Sequence, residues 1–227
     1  MGCILKQGGG LYARLRVGAV LLAAGEGRRM GGVAKPLIRL QGVPLIKRHL
    51  IALSGAGVDE VVVVTGFERD AVEEQVQDFP VTLAHNASYA QGQQGSVRTG
   101  LAALNGKFDA VLVVLADQPL ISAGDLTELI AAYKKSPKRE GGQVLVPVVN
   151  GQRGNPIVLD AEALTRILAS DANLACRRFI ETHPDLVLVH ETANARFVTD
   201  LDTPEDVARL AERTGWTFEL PAREAAA

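Results

Sequence analysis

The chain reads as an α/β protein: a mainly parallel sheet with helices on both faces and a small antiparallel extension. Three observations predict it. Short β-branched runs alternate with helical patterns along most of the 227 residues, the order expected when helices connect parallel strands. The runs at 17–23 and 109–115 are almost free of polar residues, as strands covered on both faces must be. The runs at 143–149 and 156–159 are joined by Asn150-Gly151-Gln152-Arg153-Gly154, a turn-rich connection that pairs strands antiparallel.

Each element follows in order. After the strand at 17–23, Pro44 suits the first turn of a helix running to about Leu53, with Leu45, Ile46, His49, Leu50 and Leu53 at helical spacing. Residues 60–65 form a second buried strand and 69–77 a helix. A third strand spans 81–85, a helix 96–104, and the fourth strand 109–115. Helix 124–134 precedes an exposed loop at 136–142 and the antiparallel pair. Helices at 161–168 and 174–182, strands at 186–190 and 197–201, and a last helix from Pro204 to about Arg213 complete the pattern. The expected organisation is a flexible leader over 1–16, one domain over 17–214, and a frayed tail over 215–227.

Composition narrows the function. With 47% hydrophobic and 22% charged residues the chain can bury a large core beneath an ordinary polar surface. A net charge of -2 gives no global attraction for nucleic acid or an anionic membrane, so phosphate binding has to be local. No apolar run approaches the roughly 18 residues of a transmembrane helix. The two cysteines, Cys3 and Cys176, are too far apart for metal-ligand spacing, and a reducing cytoplasm is the expected setting. The four histidines match no metal spacing either.

In open parallel sheets ligands bind beyond the carboxyl ends of the strands, and the unusual residues of this chain follow strands. Leu22-Ala23-Ala24-Gly25-Glu26-Gly27-Arg28-Arg29-Met30-Gly31-Gly32 follows the first. Its glycines let backbone N–H groups approach an anion, while Arg29 and the nearby Lys35 supply charge for a triphosphate. Met30 stands where the third glycine of a dinucleotide fingerprint belongs, and Lys35 lies between Ala34 and Pro36, which excludes a P-loop. Asp117, just past the fourth strand, is placed to hold Mg²⁺. Asp200 and Asp202 sit two apart on an extended stretch and so face one way, fitting a cation between them and Asp117. Thr203, Pro204 and Asp206 read as the N-cap, N1 and N3 of the last helix. Ser96 opens the helix expected at 96–104, where N–H donors could meet a base or phosphate.

Together these pieces resemble the molybdenum-cofactor nucleotidyltransferases, especially the cytidylyltransferase branch, from about Val17 to Leu210. The likeness rests on Leu22-Ala23-Ala24-Gly25 with Arg29-Met30-Gly31 and Lys35, Val64-Thr65-Gly66, Asn86 with Tyr89, Gly92 and Ser96, Asp117-Gln118-Pro119, Gly154-Asn155-Pro156, and Asp200-Leu201-Asp202-Thr203-Pro204. The resemblance implies a Rossmann-like nucleotidyltransferase fold and Mg²⁺-dependent transfer of a nucleoside monophosphate to molybdopterin. It implies Arg29, Lys35 and Asp117 as catalytic residues; Leu22, Ala23, Ala24, Gly25, Gly27, Gly66 and Ser96 at the nucleotide; and Asp117 with Asp200 or Asp202 at the metal. It assigns Gly154, Asn155 and Pro156 to the acceptor side. Ala24 and the Asp117-Gln118-Pro119 motif favour CTP over GTP, while Gly27 replaces a frequent Ser and Asn155 a frequent His. Its expected partners are the nucleotide, the phosphorylated acceptor and, transiently, a molybdoenzyme client. The alternatives are transfer to a sugar or isoprenoid-precursor phosphate, a nicotinamide-dependent oxidoreductase, and an idle pterin-cofactor chaperone.

Overall fold

A computed structural model describes residues 14–137, 140, 142–170 and 176–221 of the chain. Its central sheet is built on strand β1 (Val17–Leu22), every residue of which is buried. Strands β2 (Arg39–Leu40) and β3 (Val43–Pro44) form a tight hairpin before helix α1 (Leu45–Gly55). Then come β4 (Glu60–Thr65), α2 (Arg69–Val76), β5 (Thr82–His85), α3 (Gln93–Ala102), β6 (Ala110–Leu115) and α4 (Ala123–Lys135). The second half adds β7 (Val144–Val149), β8 (Gln152–Arg153), β9 (Ile157–Asp160), α5 (Ala161–Ala169), α6 (Cys176–Thr182), β10 (Val187–Glu191), α7 (Pro204–Thr214) and β11 (Phe218–Glu219).

The main sheet runs β10-β7-β9-β6-β1-β4-β5, with β8 paired to β7. β5, β4, β1 and β6 are mutually parallel, as are β7 and β10, while β9 runs antiparallel between β6 and β7. The fold expected from sequence is therefore present, and its antiparallel extension is the β7–β9 region.

Alternation along β1 sorts the core into two layers. Ala19 and Leu21 join Leu50 and Leu53 of α1, Val72 of α2 and Leu126 and Leu129 of α4. Val20 and Leu22 join Val97 and Leu101 of α3, Ile167 of α5 and Phe179 of α6 on the other face. A third, smaller cluster holds Met30, Val33, Leu40, Leu45, Leu201 and Leu210, beneath the three-stranded sheet β11-β2-β3.

Several expectations need correction. Residues 197–201 form no strand: a 3-10 turn at Ala195–Val198 leads into an irregular stretch whose Leu201 N–H donates to the Asp117 carbonyl at 2.9 Å. Phe197 and Leu201 are apolar because they anchor that stretch, both fully buried. α3 begins at Gln93 rather than Ser96, since Gly92 at φ 116° breaks the chain just before it. Pro44 closes β3 and precedes the first residue of α1. Arg14 and Arg16 are tied to the domain, Arg14 by an ion pair to Asp59 and Arg16 by its N–H to the Asp109 carboxylate, while 1–13 lie outside the described residues. The expected tail contributes β11, paired with β2; 222–227 lie outside the described residues, as do 171–175, where the helix expected at 174–182 was to begin.

Candidate active site

The chain moves outward from β1 through β4 to β5, then returns to lay β6 on the opposite side of β1. The connections leaving β1 and β6 therefore part, and a crevice opens beyond their carboxyl ends, where Leu22 and Leu115 are paired neighbours. A cleft of about 660 Å³ occupies that position. Leu22, Ala23, Ala24, Gly25, Gly27 and Arg29 line it from the loop after β1, and Lys35 lies just beyond. Asp117, Asp200 and Asp202 line it from the other side.

The loop after β1 is shaped by Gly27. Its φ of 56° is left-handed, and a Cβ there would stand 2.0 Å from the Val33 carbonyl oxygen. The Gly27 carbonyl accepts from the N–H groups of Met30 (2.8 Å) and Gly32 (3.0 Å), curling the segment into a single 3-10 turn, Arg28–Met30. Met30 and Val33 are buried in the small third cluster together with Leu201. Those apolar anchors bring their charged neighbours, Arg29 and Asp202, into contact.

The charged cluster follows from this packing. Lys35 Nζ lies 3.0 Å from Asp117 Oδ2 and 2.8 Å from Asp202 Oδ1, and its side chain is only 15% exposed. Arg29 reaches the other Asp202 oxygen at 2.9 Å. The bond from Leu201 N–H to the Asp117 carbonyl ties the two acidic segments together through the backbone. Burial works against the charge on Lys35, yet the Asp117 charge and the bonds to both carboxylates prevail and raise its pKa. Burial likewise disfavours ionised Asp202, but the bond and charge of Lys35, with Arg29, hold its pKa below the usual carboxylate value. Asp200 has no such partner. Burial and then the Asp117 charge push its carboxyl up to about 6, offset in part by a Gln118 hydrogen bond.

The opposite wall is α3 and its approach. Tyr89, Gly92 and Gln93 line the cleft with Ser96, whose buried hydroxyl accepts from Asn86 Nδ2 at 2.9 Å. Ser96 is thus the fourth residue of its helix, held by Asn86, and Gly92 supplies no side-chain cap to the amides ahead of it. Arg177 of α6 also lines the cleft, paired with Glu181 at 3.1 Å. No spacing or motif marked Arg177 in the sequence; only the seating of α6 on the same core layer as α3 brings it there.

Four expected residues do not line the cleft. Gly66 lies behind its wall, where a Cβ would come within 2.8 Å of the Ala24 Cβ and 2.7 Å of the Tyr89 Cβ; its missing side chain lets those two walls meet. Gly154, Asn155 and Pro156 lead into β9, on the same sheet edge as Asp117 because Ile157 pairs with Val113. The Asn155 N–H donates to the Phe197 carbonyl at 2.9 Å, and the buried Gln118 Nε2 donates to the same oxygen at 3.0 Å. That shared acceptor joins the 154–156 turn to the residue following Asp117.

A divalent cation fits this donor set. Asp117 Oδ1 and Asp200 Oδ1 are buried without hydrogen-bond partners among the described residues. No group of three or more His, Cys, Asp or Glu side chains able to hold a metal occurs among them. One or two carboxylates completed by phosphate oxygens and water is the coordination Mg²⁺ prefers. No helix among the described residues is long and apolar enough to cross a membrane.

A glycine- and arginine-bearing loop after the first strand, facing carboxylates across the point where strand order reverses, is the arrangement of a nucleotidyltransferase. Residues 19–187 match the MobA-like NTP transferase domain, and the chain belongs to that family. The nicotine blue oxidoreductase of Paenarthrobacter nicotinovorans is 30% identical over 200 residues, covering 86% of this chain and 96% of that protein. The bifunctional enzyme IspD/IspF of Clavibacter michiganensis subsp. michiganensis is 36% identical over 143 residues, 60% of this chain but 34% of that longer protein. Among solved structures, a nucleotidyl transferase from Methanothermobacter thermautotrophicus superposes with a TM-score of 0.71 at 25% identity, covering 87% of this chain and 97% of that one.

Proposed function

We propose that the protein transfers a cytidylyl group from CTP to molybdopterin, with Mg²⁺, and releases pyrophosphate. The observation that carries this reading is the joining of Lys35, Asp117 and Asp202 at the switch point, facing the arginine-bearing loop. A phosphate oxygen of the acceptor attacks the α-phosphorus in line; its bond to phosphorus forms as the bond to the β-phosphate oxygen breaks, and the electron pair leaves with pyrophosphate. The attacking phosphate is already ionised near neutral pH, so no protein nucleophile is needed. Catalysis is then positioning and charge neutralisation. Arg29 and the loop amides hold the β- and γ-phosphates, and Lys35 meets the charge that builds on the α-phosphate. Asp117, with Asp200 or Asp202, would hold Mg²⁺, which would neutralise phosphate charge when bound. The Gly92–Ser96 segment contacts the base or sugar, and 154–156 support the acceptor side through Phe197 and Gln118. The expected setting is cytoplasmic, with a molybdoenzyme as a transient client and neither nucleic acid nor membrane as a partner.

The test is pyrophosphate release with each of the four nucleoside triphosphates, with and without molybdopterin. Release that needs molybdopterin and is fastest with CTP supports the proposal. Release only with a sugar or isoprenoid-precursor phosphate retains the chemistry and rejects the acceptor. An oxidoreductase reading draws on the name of the relative that matches over nearly its whole length. Against it stands Met30, buried where a dinucleotide loop needs its third glycine. Saturable NADH binding with no nucleotidyl transfer would favour that second reading.

A further inference from the structure

We infer that Lys35 is the resident counter-ion of the Asp117–Asp202 pair in the nucleotide-free protein and makes divalent-cation capture conditional on nucleotide. This deepens the proposed function, since it concerns how the same site is filled. The ammonium sits between the two carboxylates, 3.0 Å and 2.8 Å from an oxygen of each. It therefore occupies the space that a cation shared by Asp117 and Asp202 would take.

Its backbone has little room to retreat. Lys35 starts a 3-10 turn, Lys35–Leu37, beside buried Ala34 and Pro36. The ammonium can leave only by rotation of its own four-carbon stem. A free divalent cation arriving alone either displaces two charge-assisted bonds or settles on Asp117 Oδ1 and Asp200 Oδ1 beside the ammonium, and in both places the two positive charges repel. At separations near 4 Å such repulsion is felt even in water and is several times stronger beside a protein wall. A triphosphate changes the balance, because it offers the ammonium another anionic partner a short stem-swing away. The lysine moves to phosphate, the carboxylates are freed, and the cation enters with the nucleotide. Arg29 does not play this part: it touches only the outer oxygen of Asp202, with a side chain 70% exposed.

A lysine that did no more than bind phosphate would leave the metal affinity of the nucleotide-free protein unchanged when removed. The deciding experiment is Mn²⁺ titration, followed by electron paramagnetic resonance, of the nucleotide-free protein at neutral pH and low salt. Wild type should bind Mn²⁺ weakly, and Lys35→Ala should bind it at least about tenfold more tightly. Lys35→Met, which keeps the stem, should do the same should the alanine variant lose its fold by circular dichroism. Arg29→Ala should tighten binding far less. Wild type saturated with CTP should hold Mn²⁺ more tightly than CTP alone does. Free-protein affinity unchanged or lowered in both lysine variants overturns the inference, and so does an equal gain in Arg29→Ala. No acceptor is present in the deciding arm, so failure to use molybdopterin would sink the proposed pathway without touching this result.

Discussion

At the scale of single residues, charge and shape act in different places. Lys35 and Asp117 meet across the cleft, and either Lys35→Ala or Asp117→Ala should lower turnover by about 10²–10³. Their thermal unfolding should stay close to wild type, because both side chains face the cleft rather than a core layer. Wild-type turnover of purified Asp117→Ala would remove that carboxylate from the mechanism. Arg177 lines the cleft from α6, on the core layer that also seats α3 and its nucleotide-side residues. Arg177→Gln is therefore expected to raise the nucleotide KM several-fold, as loss of one exposed charge-assisted contact does, and to leave the acceptor KM unchanged. A change in the acceptor KM instead would reassign the residue. At Gly27 the turn admits no side chain, since a Cβ there would stand 2.0 Å from the Val33 oxygen.

At the scale of elements, α3 carries one wall of the site and its seat is set by Gly100. A Cβ at that position would lie 2.3 Å from Val20 Cγ1 and 2.7 Å from Val64 Cγ2, so the helix rests directly on β1 and β4. Gly100→Val should destabilise the fold by about 1–3 kcal/mol in urea unfolding, the usual cost of overpacking a core. Because Gln93 and Ser96 ride on the same helix, the nucleotide KM should rise as well; a stability loss with an unchanged KM would mean that the site tolerates movement of α3. The helices themselves were largely legible. Thr203 caps α7 with Pro204 at N1 and a reciprocal bond to Asp206, as the local sequence demands. The start of α3 was not, because Gln93 and Gln94 carry no apolar signal and the break at Gly92 depends on a backbone torsion. β2, β3 and β11 are two residues each, too short to show any period.

For the whole molecule, the buried His49 and the half-buried Asp200 give acid stability opposite signs. His49 is fully buried, and a weak contact with the Ala116 backbone offsets only part of the cost of charging it. Burial, with the nearby Arg48 charge, lowers its pKa to about 4 from an ordinary value of 6.5. Between those values the unfolded chain binds a proton that the native protein refuses, so stability is full above 6.5 and falls as pH drops toward 4. Asp200, pushed up to about 6, holds a proton in the native state that the unfolded chain has lost, so its contribution falls as pH rises from about 4 to about 6. Urea unfolding from pH 4 to pH 8 separates them. His49→Leu should lose less stability on acidification than wild type, and Asp200→Asn should lose more. Equal slopes in all three proteins would mean that neither group is shifted by folding.

The sequence by itself determined the layered sheet, the order of its main strands and helices, and the chemical types of the cleft. Periodicity and β-branched runs are local, and so are the glycines and charges that follow strand ends. Tertiary structure alone decided which charges meet. Lys35 and Asp202 are distant in the chain, and they touch because Met30, Val33 and Leu201 share one small core. It also turned residues 197–201 from a strand into an anchored turn, since the same apolar pattern serves a pleat or a plug. Gly66 moved from the nucleotide to the packing behind it for the same reason: a missing side chain has one meaning in sequence, and its neighbours supply the other. Arg177 came to the site through the seating of α6 on the far core layer, a relation no local pattern encodes.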